Sequence, residues 1–213
     1  MTQSVLQTQL TTMLSLQDSM NTKVHPEWRT QGFEWYRAVW IEAGELMDHQ
    51  GYKWWKKQIP DVEQVQLEIV DIWHFGLSLL IEKSDQTVEA LAAELAATIE
   101  AHTPAETSVL LATEALASYA LSHKALSIIA FVDLLNAAEM SLDSLYQAYV
   151  GKNVLNFFRQ DNGYKEGTYI KQWQGREDNE HLVELSATLD AAADSYPDDL
   201  YQALQTRYQS LTA

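Results

Sequence analysis

The chain contains no cysteine, so neither disulfide bonds nor thiolate zinc sites can stabilise it. Glycine and proline are also scarce, with 8 and 4 copies in 213 residues. Because these two residues interrupt helices, their scarcity favours a helical globule over a disordered chain or a β-sandwich. Hydrophobic residues make up 46% of the chain, which is enough to form a core. The composition therefore predicts an all-α protein.

Basic residues are few, since 14 Lys and Arg stand against 30 Asp and Glu, for a formal net charge of −16. Such a surface repels a phosphate backbone, so we expect no nucleic-acid partner. No apolar run approaches the ~18 residues that span a bilayer, and the first residues lack the pattern of a signal peptide. We therefore expect a cytoplasmic protein with no membrane partner.

The sequence shows no internal repeat and no long biased linker, which predicts a single domain over residues 1–213. Apolar residues at helical spacing predict helices over residues 4–20, 33–49 and 62–82, three helices within the Ala-rich region 87–140, and one that ends near residue 160. The polar stretch 21–31 is predicted to end the first helix. Thr-Pro-Ala-Glu at 103–106 has the pattern of a helix start.

Two pairs of acidic residues occur inside apolar helical runs. Glu42 and Glu45 are three positions apart on the second predicted helix, and Glu68 and Asp71 have the same spacing on the third. A single pair of this kind is usually a solvated helix face. Two pairs within about 30 residues, each flanked by large apolar side chains, favour a metal site instead. Without a cation, each close pair of carboxylates would cost about 3 kcal/mol. Oxygen ligands and the lack of cysteine indicate Mg²⁺ or Mn²⁺ rather than zinc.

Positive charge is concentrated in one segment, Gly151–Leu182. This segment holds five of the 14 basic residues: Lys152, Arg159, Lys165, Lys171 and Arg176. Their concentration in an acidic chain predicts that the segment binds an anion. Helical spacing places Lys152, Asn156 and Arg159 on one polar stripe. Glycine-containing turns follow, so Tyr164 and Lys171 are predicted to lie on a loop that can close over a ligand.

The sequence KNVLNFFRQDNGYKEGTYIKQWQGREDNEHL, together with EAGEL and EIVDIWHF, closely resembles the dimeric all-α dUTPases. These enzymes are part of the MazG-like all-α NTP pyrophosphatase superfamily, which is marked by ExxE followed by ExxD on a second helix. The resemblance implies a helical bundle core with a mobile helical or loop cap. It also implies a homodimer that hydrolyses dUTP, and also dUDP, to dUMP.

The resemblance further implies a role for each matching residue. The metal ligands would be Glu42, Glu45, Glu68 and Asp71, holding two or more Mg²⁺ ions, with Mn²⁺ as a substitute. Beyond the resemblance, our own hypothesis is that Glu45 and Glu42 are catalytic, with Glu45 orienting or deprotonating the attacking water. The phosphate-binding residues would be Lys152, Arg159 and Lys171, and we add Lys53 from the loop after the second helix. The nucleoside-binding residues would be Gln17, Asn21, Trp54, His74, Phe75, Asn156, Tyr164 and Asn179.

Other interpretations of these residues stay open. A lone His74 is more often a hydrogen-bonded core histidine, and Trp54 has the character of a core or interface anchor. Gln17 and Asn21, one helical turn apart, are also compatible with a polar surface pair. At the level of function, the alternatives are a broader (d)NTP pyrophosphatase that clears dCTP or modified nucleotides, and a non-catalytic nucleotide-binding regulator.

Overall fold

The computed structural model describes residues 4–191, 193 and 195–212. Helices dominate these residues, which confirms the predicted all-α class. The described helices are α1 (Val5–Val24), α2 (Trp35–Gln50), α3 (Val62–Glu82), α4 (Val88–Ala101), α5 (Val109–His123), α6 (Ile128–Ala137), α7 (Leu142–Asp161), α8 (Asp178–Ser186) and α9 (Tyr196–Thr212). A 3-10 turn, Trp28–Thr30, follows α1, and a hairpin of β1 (Gln172–Trp173) and β2 (Arg176–Glu177) follows α7.

The chain divides into two compact units, one up to Tyr146 and one from Gln147 onward. The boundary falls within α7. The prediction of one domain over residues 1–213 stays a prediction, because both a single domain and separate domains can divide in this way. None of the described helices combines the length and the apolarity that a bilayer span requires.

The first unit is built around α3, whose apolar residues are buried along most of its length. Asp61 begins this helix, because its carboxylate accepts a hydrogen bond from the backbone N–H of Gln64 at 3.2 Å. Helix α2 packs along α3 and also against α5, while α1 packs against α3 and α4. Gly51 ends α2 in the left-handed conformation, with φ of 88°, which a residue with a side chain rarely adopts.

The predicted end of the first helix within the polar stretch 21–31 is confirmed, whereas the predicted helix start at 103–106 is wrong. Helix α1 continues through Asn21 to Val24, and the N–H of His25 bonds to the carbonyl of Asn21, so the helix stops just before Pro26. Residues 103–106 do not begin a helix, since α5 starts at Val109 with Ser108 as its cap.

Contacts with α6 explain why no helix starts at 103–106. The Oδ1 atom of Asp133 on α6 accepts the backbone N–H of Ala105 at 2.9 Å. The same atom lies 2.7 Å from Nε2 of His102. These tertiary contacts hold the segment outside a helix, so they override the local helix-start pattern.

The second unit has an aromatic core. The ring of Phe158 on α7 packs edge-on against Trp173 of the hairpin and Tyr208 of α9, at 5.9 and 5.3 Å between centroids. Trp173 also stacks on His181 of α8 at 4.9 Å. The hairpin, which the sequence analysis did not predict, turns at Gln174 and Gly175, both of which have positive φ. Such a two-residue turn matches the twist of the paired strands.

Candidate metal and nucleotide site

Three of the predicted metal ligands meet between α2 and α3. Glu42, Glu68 and Asp71, here called the acid cluster, each offer a carboxylate oxygen, and these oxygens all lie within 4.8 Å of one another. Glu68 is almost fully buried, whereas Glu42 and Asp71 are partly exposed. The cluster forms because Glu42 of α2 and Glu68 and Asp71 of α3 come together where these two helices pack.

The electrostatics of the acid cluster favour a bound cation. Burial and the charges of its acidic neighbours raise the pKa of Glu42 to about 7. Burial also raises the pKa of Glu68, which shares a hydrogen bond with Glu42. Carboxylates this close hold a proton between them unless a cation neutralises them. Their oxygen donors fit a hard divalent ion such as Mg²⁺ or Mn²⁺.

Glu45 and His49 lie next to the acid cluster on α2. Glu45 is exposed, one turn beyond Glu42, and its charge raises the pKa of Glu42. The Nε2 atom of His49 lies 3.5 Å from Oε1 of Glu68. Sequence reasoning missed His49, although it follows Glu45 by four positions and Glu42 by seven and therefore shares their helix face.

Three of the predicted nucleoside-binding residues meet in a closed ring of hydrogen bonds. Nδ1 of His74 lies 2.9 Å from Oε1 of Gln17, and Nε2 of Gln17 donates to Oδ1 of Asn21 at 3.0 Å. Nδ2 of Asn21 then donates to Oγ of Ser78 at 2.9 Å, and this hydroxyl donates to the carbonyl of His74 at 3.1 Å. We call these four residues the amide ring. Sequence reasoning missed Ser78, although it follows His74 by one helical turn.

The structure places the other predicted residues of the first unit in separate contacts. Phe75 stacks on Trp35, with 6.3 Å between ring centroids and 29° between planes. Trp54 lies on the loop after α2, 91% exposed, with its ring edge-on to Trp55. Lys53 on the same loop pairs with Asp48. The high exposure of Trp54 excludes a role as a core anchor within this chain.

Arg159 joins several of the predicted residues of the second unit. It donates two hydrogen bonds to the buried Asp178, from Nε at 2.8 Å and from Nη2 at 2.9 Å. Its guanidinium also contacts Oδ1 of Asn156 at 3.4 Å and Oδ1 of Asn179 at 3.5 Å. Asn156, Arg159 and Asn179 therefore come together, around an acid that sequence reasoning missed. The position of Asp178 next to Asn179 in a basic segment was the available signal.

Asp178 is ionised in this arrangement. Burial alone would raise its pKa, but the hydrogen bonds and charge of Arg159 outweigh burial and hold the pKa below its usual range. The hydroxyl of Tyr169 donates a further hydrogen bond to Asp178 at 2.9 Å. The ion pair engages Nε and Nη2, and Nη1 contacts Asn156, so an anion would approach the second N–H of Nη1.

The other predicted residues of the second unit are more exposed. Nζ of Lys171 lies 3.1 Å from a carboxylate oxygen of Glu177, and both side chains are about half exposed. Tyr164 is exposed, with its ring 6.2 Å from that of Tyr169. Lys152 is partly buried on α7. Lys171 and Tyr164 thus lie on the turns and hairpin after α7, where the sequence predicted a loop.

Comparison with known protein families gives one finding about this chain. The sequence model of a family described as dUTPase matches residues 9–164, which is more than half of the chain. The matched range contains the acid cluster, the amide ring, Glu45 and His49. It ends at the turn after α7, so Lys171 and Asn179 lie beyond it. A comparison with curated proteins gives no match.

Proposed function

Because the chain belongs to the dUTPase family, of the all-α type, we propose that it hydrolyses dUTP to dUMP and pyrophosphate at the acid cluster with Mg²⁺ bound. The family membership makes the protein a dUTP diphosphatase, a nucleoside triphosphate pyrophosphohydrolase. The observation that carries the proposed site is the approach of the three carboxylates within 4.8 Å, inside the matched range.

The proposed metal ligands are Glu42, Glu68 and Asp71, with Glu45 from the adjacent turn completing the set. When bound, Mg²⁺ ions neutralise the phosphate oxygens and lower the pKa of an attacking water. The four acids would hold two or more ions, and the positive charge of these ions would keep the carboxylates ionised. Mn²⁺ has the same preference for oxygen ligands and would substitute.

Glu45 is the proposed base, with Glu42 as the second catalytic acid beside it. The exposure of Glu45 allows a water to reach its carboxylate. Glu45 orients the water and accepts its proton as the bond to phosphorus forms. A Glu45→Gln protein that kept full turnover with metal bound would contradict this role.

The basic residues of the second unit are the proposed phosphate ligands. Arg159 is held in one orientation by Asp178, so its Nη1 edge can donate to a phosphate oxygen without a further loss of side-chain entropy. Lys152, Lys171 and Lys53 are proposed to add positive charge for the phosphates. Asn156, Tyr164 and Asn179 are proposed to contact the sugar and the phosphates.

The amide ring is proposed to recognise the base. Gln17, Asn21 and His74 present hydrogen-bonding groups, and a site that pairs with the polar edge of uracil penalises a base that leaves those groups unpaired. Phe75 and Trp54 are proposed as the apolar surfaces against the base. A tight wall at the 5 position would exclude the methyl group of thymine.

A homodimer is proposed as the working form of the protein. Apolar residues of α2 and α3 are exposed close to the acid pairs, and Trp40, Ile41 and Leu67 are each exposed by more than two fifths. Such a surface is typical of an interface. Light scattering coupled to size-exclusion chromatography would give the mass of a dimer, whereas the mass of one chain would contradict the proposal.

The test of the function is a substrate panel. Pyrophosphate or phosphate release is measured from dUTP, dUDP, dCTP and dTTP at one Mg²⁺ concentration and in chelator. We expect dUTP to be preferred, dUDP to be hydrolysed by attack at the β-phosphorus, and chelator to stop the reaction. Equal turnover of dCTP would favour a broader pyrophosphatase. Calorimetric binding of dUTP with no turnover would favour a regulator.

A further inference from the structure

Ser78 lies at the inner end of the amide ring. Its exposed fraction is 0%, whereas Gln17, Asn21 and His74 have exposed fractions of 5%, 7% and 9%. Because Ser78 has no exposed surface, a bound base cannot touch it and would contact the other three members of the ring. Any influence of Ser78 on substrate choice must act through the other members of the ring.

The hydroxyl of Ser78 sets the direction of every hydrogen bond in the ring. Its single proton is donated to the carbonyl of His74, one turn earlier on α3, so its oxygen can only accept from Asn21. The amide nitrogen of Asn21 must then face Ser78, and its oxygen must face Gln17. The nitrogen of Gln17 is thereby used as a donor, and its oxygen faces His74. His74 must finally carry a proton on Nδ1.

The opposite direction would also satisfy the amides and His74, but it would cost the hydrogen bond from Ser78 to the carbonyl of His74. If the hydroxyl of Ser78 turned toward Asn21, both amides would rotate by 180° and His74 would accept at Nδ1. The positions of amide oxygen and nitrogen would then be exchanged. Each amide has two N–H groups and two oxygen lone pairs, so it can bind a base in addition to its neighbours in the ring. The direction of the ring therefore decides which pattern of donors and acceptors a base meets.

Uracil and cytosine differ by the same exchange of a hydrogen-bond donor and an acceptor. Uracil has an acceptor at O4 and a donor at N3, whereas cytosine has a donor at N4 and an acceptor at N3. An amide that pairs with one base must rotate by 180° to pair with the other. We propose that Ser78 is a positioning residue that fixes the amide ring in the direction that selects uracil over cytosine. This inference rests on the proposed function, in which the ring reads the base.

The first test is substrate preference in Ser78→Ala, which removes the hydroxyl without adding volume. The ratio of kcat/KM for dUTP to that for dCTP should fall by at least ~10-fold, because the amides lose the group that fixes them. The matched control is Thr113→Val. Thr113 is another fully buried residue whose hydroxyl donates to a carbonyl one turn earlier, that of Val109 at 2.7 Å, but on α5 and outside the ring.

The second test is the tautomer of His74, read from the ¹⁵N chemical shifts of its imidazole in the metal-bound protein without nucleotide. We expect Nδ1 to carry the proton in the unsubstituted protein and in Thr113→Val, and the Nε2-protonated tautomer to increase in Ser78→Ala. This readout does not depend on activity, and loss of a buried hydroxyl elsewhere would not move it.

The outcomes separate this inference from the proposed function. A folded Ser78→Ala protein with unchanged dUTP preference, or with an unchanged tautomer of His74, would overturn the role of Ser78 alone. An equal fall in preference in Thr113→Val would also overturn it, because the effect would then be general destabilisation. Equal turnover of dUTP and dCTP by the unsubstituted protein would instead overturn uracil selection itself.

Discussion

Glu42 carries the clearest electrostatic signature of the first unit. Its pKa is raised to about 7 by burial and by neighbouring acids, so the folded protein holds a proton there that the unfolded chain releases near pH 4. A raised carboxyl pKa means that the folded state binds more protons than the unfolded state between these two values. The metal-free protein should therefore lose stability as pH rises from about 4 to about 7, and binding of a divalent ion should restore it.

This prediction is checked by urea denaturation in chelator at a series of pH values. Glu42→Gln should flatten the pH dependence of the unfolding free energy. At pH 8 this variant should be more stable than the unsubstituted protein, because it removes one negative charge from the acid cluster. A metal-free protein whose unfolding free energy does not change between pH 5 and pH 8 would contradict the close packing of these carboxylates.

Two glycines on neighbouring helices provide an internal comparison. A Cβ added at Gly44 on α2 meets nothing within 4 Å, so Gly44→Ala should stabilise the protein by about 1 kcal/mol through helix propensity. A Cβ at Gly76 on α3 would lie 2.6 Å from a methyl group of the buried Leu126. Gly76→Ala should therefore destabilise it by about 1 kcal/mol or more. Thermal unfolding of the two variants measures both, and shifts of the same sign would contradict the packing of α3.

At the scale of elements, the ion pair between Arg159 and Asp178 ties α7 to α8. Asp178→Asn should cost about 3–5 kcal/mol, because it leaves the largely buried guanidinium without its counter-charge. Lys171→Gln is the matched control, since it breaks an ion pair of about half-exposed side chains and should cost less than about 1 kcal/mol. Urea denaturation measures both variants. Equal losses of unfolding free energy in the two variants would mean that the buried ion pair stabilises the protein no more than the exposed one.

The accuracy of the sequence predictions differs between elements for physical reasons. Helix α3 was predicted with its observed bounds, because an uninterrupted apolar pattern and the Asp61 cap act locally. The helix-start pattern at 103–106 gave a wrong prediction, because the carboxylate of Asp133 on α6 accepts the backbone N–H of Ala105. The hairpin at 172–177 is too short to show an alternating pattern, and its pairing depends on the aromatic core around Trp173.

At the scale of the whole molecule, spacing alone located the acid pairs but not the partners that complete each group. Glu42, Glu68 and Asp71 meet because two helices with recognisable patterns pack along one seam. Ser78 and Asp178 were not predicted, because a lone serine or aspartate has no pattern until the fold provides its hydrogen-bond partners. The exposure of the apolar residues Trp40, Ile41 and Leu67 likewise follows only from the folded chain.

The central claim is that the carboxylates between α2 and α3 hold the divalent ion that hydrolysis of dUTP requires. The most direct measurement is pyrophosphate release from dUTP, with Mg²⁺ and in chelator, by the unsubstituted protein, Glu68→Gln and the control Glu63→Gln. Glu63 is an exposed acid in the first turn of the same helix. We predict Mg²⁺-dependent release that Glu68→Gln lowers by at least ~100-fold and Glu63→Gln leaves unchanged. Undiminished release by Glu68→Gln would contradict the claim.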